Sequence, residues 1–216
     1  MSAENNQSES SSRIVLIDMD GVVANFDHRL ADELRKVMVI SDANQPSVDR
    51  NGVEEHINRY ILQRRDHQVA SEVEEACRQI MTRPGFFASL EPIPCAVDEI
   101  KEMSRCSGIM VFFCSSPMSN ADHCASEKMA WIGKYFGSEW TRRLIITKDK
   151  TLVRGDFLID DHPNPSGVLK PVWKHIVFDQ PYNQQSKAPL RMKDWFSWRQ
   201  CLFPEEVCHY TDGKDR

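Results

Sequence analysis

Arg13-Ile-Val-Leu-Ile-Asp-Met-Asp-Gly-Val-Val-Ala-Asn-Phe26 is the stretch whose reading decides the fold. From Ile14 to Ile17 the apolar residues are continuous and largely β-branched, the pattern of a strand covered on both faces inside a parallel sheet. Side chains alternate along a strand, so Asp18 and Asp20 emerge on the same side as the strand ends. Two like charges side by side are unfavourable, and the usual compensation is a cation or a role in proton transfer. Gly21 permits a sharp exit that brings backbone N–H groups close to a ligand. Parallel sheets bind ligands at the carboxyl ends of their strands, where this pair falls. An isolated Asp-x-Asp is more often an acidic turn, so the later strands decide between the two readings.

Immediately outward, Phe26, Leu30, Leu34 and Val37/Met38 recur at helical spacing until the polar run 41–50 breaks the pattern. Val53, Ile57 and Tyr60/Ile61, then Val73, Ala76/Cys77 and Ile80, predict one or two further amphipathic helices, closed by Pro84-Gly85. The charge runs Arg64-Arg65-Asp66 and Glu74-Glu75 read as solvated faces. No strand pattern occurs between Phe26 and Gly85, so residues 27–85 form a helical insertion directly after the aspartate pair. From Phe86 onward short apolar strands alternate with helices. Val97, Ile100 and Met103 share a helix face, and Ile109–Cys114 is a strand ending in Ser115-Ser116-Pro117. A helix over 125–136 stops at Gly137. Leu144–Thr147, Phe157–Ile159 and His175–Phe178 are the remaining strands, and Leu190–Leu202 is expected to close the chain as a helix anchored by Trp195 and Trp198.

This alternation predicts an α/β fold: a three-layer α/β/α, Rossmann-like parallel sheet core built from 13–26 and 86–216, with the small helical insertion between. Residues 1–12, rich in Ser, Asn, Gln and Glu, read as a disordered tail without the apolar core of a signal peptide. No apolar run approaches the roughly 20 residues needed to cross a bilayer. A net charge of -5 argues against a surface for nucleic acid polymers. Seven cysteines without a Cys-x-x-Cys pair fit reduced thiols in a cytoplasmic protein.

Four apolar strands each end in polar residues able to handle a phosphate: Asp18/Asp20, Ser115/Ser116, Lys148/Lys150 and Asp160/Asp161. One such ending is unremarkable, but four on one sheet edge are specific. Carboxylates from the first and fourth strands can supply a hard cation such as Mg2+ with oxygen ligands. A hydroxyl beside backbone N–H groups can hold phosphate oxygens, and a lysine can neutralise charge on a transferring phosphoryl group. The remaining carboxylate can attack phosphorus, with Cys114 a weaker candidate nucleophile.

Asp18-Met-Asp-Gly-Val-Val, Ser115, Lys150 and Asp160-Asp161 resemble, in order, the four motifs of the haloacid dehalogenase-like phosphohydrolases. More narrowly, the chain resembles the 5'(3')-deoxyribonucleotidase family of cytosolic and mitochondrial kind. That likeness is carried also by Phe86-Phe-Ala-Ser-Leu-Glu-Pro-Ile-Pro94, Glu127-Lys-Met-Ala-Trp-Ile-Gly-Lys-Tyr-Phe-Gly137, Thr147-Lys-Asp-Lys-Thr151 and Leu158-Ile-Asp-Asp-His-Pro163.

The resemblance implies Asp18 as nucleophile, Asp20 as general acid and base, and Ser115 as a phosphate ligand. It implies Lys150 as the residue that steadies the intermediate. Mg2+ would be held by Asp18, the Asp20 carbonyl and Asp161, with Asp160 behind them. Phe26 would lie near the base, Ser116 would share in substrate binding, and residues 27–85 would cap a nucleoside monophosphate. A homodimer is implied as well. Lys148 reads as an exposed lysine. The Phe-Trp pair that relatives carry in the cap is not visible between Asp49 and Tyr60, and Met81 stands where relatives tend to have tryptophan. Tyr60 or His56 could replace the missing aromatic, although a surface or core place is the commoner role for each. Because the core motifs fix the reaction and the cap selects the substrate, another phosphomonoester such as a sugar phosphate is the alternative substrate. A nucleotide-binding module without turnover is the alternative of a different class.

Overall fold

The computed structural model describes residues 12–42 and 71–204. The expected tail through residue 11, the helix around Val53–Ile61, Tyr60, His56 and the run Arg64–Asp66 lie outside the described residues.

Six strands form one sheet: β1 (Arg13–Ile17), β2 (Ile109–Ser115), β3 (Leu144–Ile146), β4 (Phe157–Asp160), β5 (Lys174–Phe178) and β6 (Arg191–Met192). Their order is β3-β2-β1-β4-β5-β6, and every neighbouring pair is parallel. β1 is central as its apolar run requires, with Ile17 opposite Phe113 of β2 and Ile159 of β4. The sheet order reverses direction around β1, so the crevice between the ends of β1 and β4 is the natural place for a ligand.

The helices are α1 (Phe26–Asp42), α2 (Ser71–Met81), α3 (Ala96–Arg105), α4 (Cys124–Tyr135) and α5 (Trp198–Leu202). Layering is unequal. Val15, Ile17, Val111, Phe113, Phe157 and Ile159 pack into one continuous core with buried residues of all five helices, including Leu30, Cys77, Ile100, Trp131 and Trp198. The opposite strand face, Leu16, Cys114 and Leu158, is covered by Trp173 and by Val153 from the connecting segments. Right-handed crossovers explain the difference: β1 to β2 to β3 carries α3 and α4 over one face, and the chain then reverses across the other face. Leu16, Ile17 and Leu158 are fully buried, and each such side chain contributes roughly 1.5–3 kcal/mol.

Residues 190–202 do not form the single helix expected from their apolar spacing. The edge of β5 takes them first: the Val177 N–H donates to the Leu190 carbonyl at 3.0 Å and the Asp179 N–H to the Met192 carbonyl at 2.8 Å, making β6. Asp194 then caps a 3-10 turn, Trp195–Ser197, by accepting from the Ser197 N–H at 3.0 Å, and only α5 is α-helical. Both tryptophans are anchors as expected. The Trp195 indole donates to the Val22 carbonyl, pinning the loop that leaves β1, and the Trp198 indole to Glu99.

Candidate active site

At the carboxyl ends of β1, β2 and β4 lies an open cleft of about 390 Å³. Asp18, Asp20, Phe26, Ser116, Lys150, Asp160 and Asp161 line it, so seven of the eight sequence-predicted residues meet there. The eighth, Ser115, is buried just behind the wall, with its Oγ accepting from Lys128 at 2.7 Å. Phe26 closes one side, its ring 5.5 Å from that of Phe86 and 6.2 Å from that of Phe87.

Asp18 leaves β1 with its N–H donating to the Ile159 carbonyl at 2.9 Å, which fixes its side chain at the mouth of the crevice. Its Oδ2 lies 3.0 Å from Lys150 Nζ, while Oδ1 is buried without a hydrogen-bond partner among the described residues. Burial pushes the Asp18 carboxyl up. Lys150 opposes it most, and Asp160 adds to the push. Lys150 sits in a 3-10 turn capped by Asp149 and also donates to Asp160 Oδ2 at 2.6 Å. Burial works against the Lys150 ammonium, but Asp18 and Asp160 outweigh it and hold its pKa above the ordinary lysine value. Burial likewise disfavours ionised Asp160, yet Lys150 and the His162 N–H, which donates to its Oδ1 at 2.7 Å, keep its carboxyl below the usual range.

Asp20 turns to a residue that the sequence reading did not single out. Lys128 of α4, 2% exposed, donates to Asp20 Oδ2 at 2.8 Å, to Ser115 Oγ and to the Ser116 carbonyl at 2.9 Å. Burial opposes its charge, and Asp20 and Asp18 more than restore it. A signal existed. Lys128 falls on the stripe Cys124, Trp131, Ile132 that α4 buries, and a lysine there needs a partner. Tyr182, Asn183 and Gln180, which follow β5, were also missed. Tyr182 OH donates to Asp161 Oδ2, and Asn183 Nδ2 to the Asp161 carbonyl at 2.8 Å.

Lys148 is exposed as expected and donates to Ser119 at 2.9 Å, although it also lines the cleft. Cys114 is excluded as a nucleophile: it is buried on the far sheet face, and burial pushes its thiol up to about 12.

Asp18, Asp160 and Asp161 each bring an oxygen within 4.8 Å of the others, a grouping able to hold a metal ion. Both Asp160 oxygens are engaged, by Lys150 and His162. The four carboxylates Asp18, Asp20, Asp160 and Asp161 gather there beside two buried ammonium groups, Lys128 and Lys150, an acidic grouping of the kind that attracts a cation.

Fold and site together define the class. The structure shares its fold with a haloacid dehalogenase family hydrolase from Deinococcus radiodurans R1 solved with bound phosphate and sodium, at TM-score 0.55 and 13% identity, covering 90% of this chain and 96% of that one. The family described as 5' nucleotidase, deoxy (pyrimidine), cytosolic type C, matches residues 12–204, and the chain belongs to it. Human 5'(3')-deoxyribonucleotidase, cytosolic type, is 33% identical over 185 residues, 85% of this chain and 88% of the relative. A Bordetella pertussis protein whose name assigns it provisionally to the 5'(3')-deoxyribonucleotidases is 38% identical over 192 residues, covering 89% and 96%.

Proposed function

We propose that this chain is a Mg2+-dependent phosphatase that hydrolyses deoxyribonucleoside 5'- and 3'-monophosphates to deoxynucleoside and phosphate. The observation that carries this reading is the pair Asp18 and Asp20, each lysine-bound through Oδ2 and each with a buried Oδ1 that lacks a hydrogen-bond partner among the described residues. In the reaction Asp18 attacks phosphorus, the phosphorus–oxygen bond to the nucleoside breaks, and Asp20 gives the departing oxygen its proton. Asp20 then takes a proton from water, the resulting hydroxide attacks the aspartyl-phosphate, and the Asp18–phosphorus bond breaks to release phosphate. Lys150 neutralises charge on the phosphoryl oxygens. The Ser115 hydroxyl, whose oxygen already accepts from Lys128, retains its own proton for a phosphate oxygen, with Ser116 beside it.

Asp18, Asp161 and the Asp20 carbonyl would hold Mg2+, with Asp160 orienting them, and the ion would supply charge neutralisation at the phosphate. Phe26 would face the base, and residues 27–85 would cap it. The names of the human and Bordetella relatives support the substrate class. Among the described residues no helix is long and apolar enough to cross a membrane.

The test is phosphate release with Mg2+ across deoxy- and ribonucleoside 5'- and 3'-monophosphates and several sugar phosphates, with Asp18→Asn as the blank. Selective release from deoxyribonucleotides, abolished by EDTA and by Asp18→Asn, is expected. Substantial turnover by Asp18→Asn refutes the covalent route, activity only on sugar phosphates moves the assignment to a repurposed cap, and binding without release identifies a sensing module.

A further inference from the structure

The turn after β5 grips both halves of the site. Gln180 Nε2 donates to the Gly21 carbonyl at 2.6 Å, at the exit from β1. Tyr182 OH donates to Asp161 Oδ2 and Asn183 Nδ2 to the Asp161 carbonyl at 2.8 Å, at the exit from β4, and Asn183 Nδ2 also donates to the Phe178 carbonyl at 2.8 Å, at the end of β5. The turn is itself rigid. Gln180 and Asn183 form a reciprocal capping box, and Arg191 of β6 donates to Asp179 Oδ1 at 2.5 Å, to Asn183 Oδ1 and carbonyl at 2.9 Å each, and to Ser186 Oγ at 2.7 Å. Gly21, at φ +78, completes the arrangement: a Cβ there would stand 2.9 Å from both Asp161 Oδ2 and Tyr182 OH. The phenol and the carboxylate are therefore packed against a bare Cα with no slack on that side.

Resting on the reading above that Asp161 is a Mg2+ ligand, we propose that Tyr182 is a positioning residue: its hydroxyl fixes the orientation of the Asp161 carboxylate and thereby sets the affinity of the site for Mg2+. The Gln180–Asn183 turn delivers it, and Gly21 gives it room. A ligating carboxylate held by an outer hydrogen bond pays less to order itself on binding, and losing such a partner typically costs 10–100-fold in metal affinity.

The experiment is calorimetric titration of Mg2+ into the metal-free full-length protein, wild type against Tyr182→Phe, without substrate. The phenylalanine variant keeps the ring and removes only the hydroxyl, so its metal-free melting temperature is expected to fall by about 3–12 °C, the effect of one hydrogen bond to a charged group in a chain of this size, leaving it folded at the titration temperature. Its dissociation constant for Mg2+ is expected to rise 10–100-fold, and the Mg2+ needed for half-maximal turnover to rise with it. Gln180→Ala, which leaves the phenol in place but frees the turn from Gly21, is expected to shift the constant in the same direction. If wild type binds Mg2+ and Tyr182→Phe binds it within tenfold, the positioning role is overturned while the functional reading stands. If wild type itself takes up no Mg2+, the metal reading falls and the role of Tyr182 falls with it.

Discussion

Lys128→Met isolates the residue that joins Asp20 to Ser115. Methionine keeps the length and most of the volume of the side chain but removes three donor contacts, at 2.8 Å, 2.7 Å and 2.9 Å. Taking one member from a buried ion pair costs about 3–5 kcal/mol, because the other charge is left unpaired. The Asp20 side chain is 25% exposed, so water reaches the deserted carboxylate and the low end, about 3 kcal/mol, applies. In a chain of this size 1 kcal/mol moves the melting temperature by about 2–4 °C, which gives a fall of about 6–12 °C. Thermal and urea unfolding of wild type, Lys128→Met, Asp20→Asn and the double variant close the cycle. Asparagine carries no charge to strand, so the double variant is expected to lose about 2 kcal/mol less than the sum of the singles. A Lys128→Met protein that melts within about 2 °C of wild type, or a cycle with no coupling, refutes the pairing.

Gly21→Ala places a Cβ at φ +78 against Asp161 and Tyr182, and a loss of roughly 1–3 kcal/mol is expected in denaturant unfolding; unchanged stability would show that no strain is present. Glu127 accepts from the N–H groups of Gly85 at 2.5 Å, Phe87 at 2.9 Å and Ala88 at 3.3 Å. Glu127→Gln turns an amide toward those donors and is expected to cost about 1.5–3 kcal/mol and to speed hydrogen exchange at the Gly85, Phe87 and Ala88 amides; unchanged exchange rates count against the clamp. Iodoacetamide at pH 8 is expected to label exposed Cys95 and to spare Cys114 in the folded protein, read by mass spectrometry, because a thiol pushed up to about 12 supplies almost no thiolate. Equal labelling of the two would overturn the account of the far sheet face.

What was legible in the sequence follows from periodicity. Continuous apolar runs identified β1 to β5, and the polar endings of β1 to β4 identified the cleft residues, because strand ends of a parallel sheet must share an edge. Residues 190–202 failed for the complementary reason. Arg191 and Met192 carry no strand pattern of their own and became β6 only because β5 presents an open edge, a tertiary demand that overrides local spacing. Lys128 was hidden by a different habit of reading: lysine on an amphipathic helix is ordinarily a solvated residue, and only the stripe of Cys124, Trp131 and Ile132 marks its face as buried. Tyr182 lies after a strand whose ending, Asp179, carried the only conspicuous charge, so the phenol two positions past Gln180 drew no notice.

The carboxylates gathered at the cleft bear on folding as well as on ligands. A cation that binds the native arrangement and not the unfolded chain adds RT ln(1 + [L]/Kd) to stability, about 2.7 kcal/mol at a hundredfold excess over the dissociation constant. If the proposed Mg2+ site is real, the carboxylates that converge from β1 and β4 would couple folding to the ionic composition of the surroundings, and the unfolding midpoint would become a ruler for occupancy that needs no substrate at all.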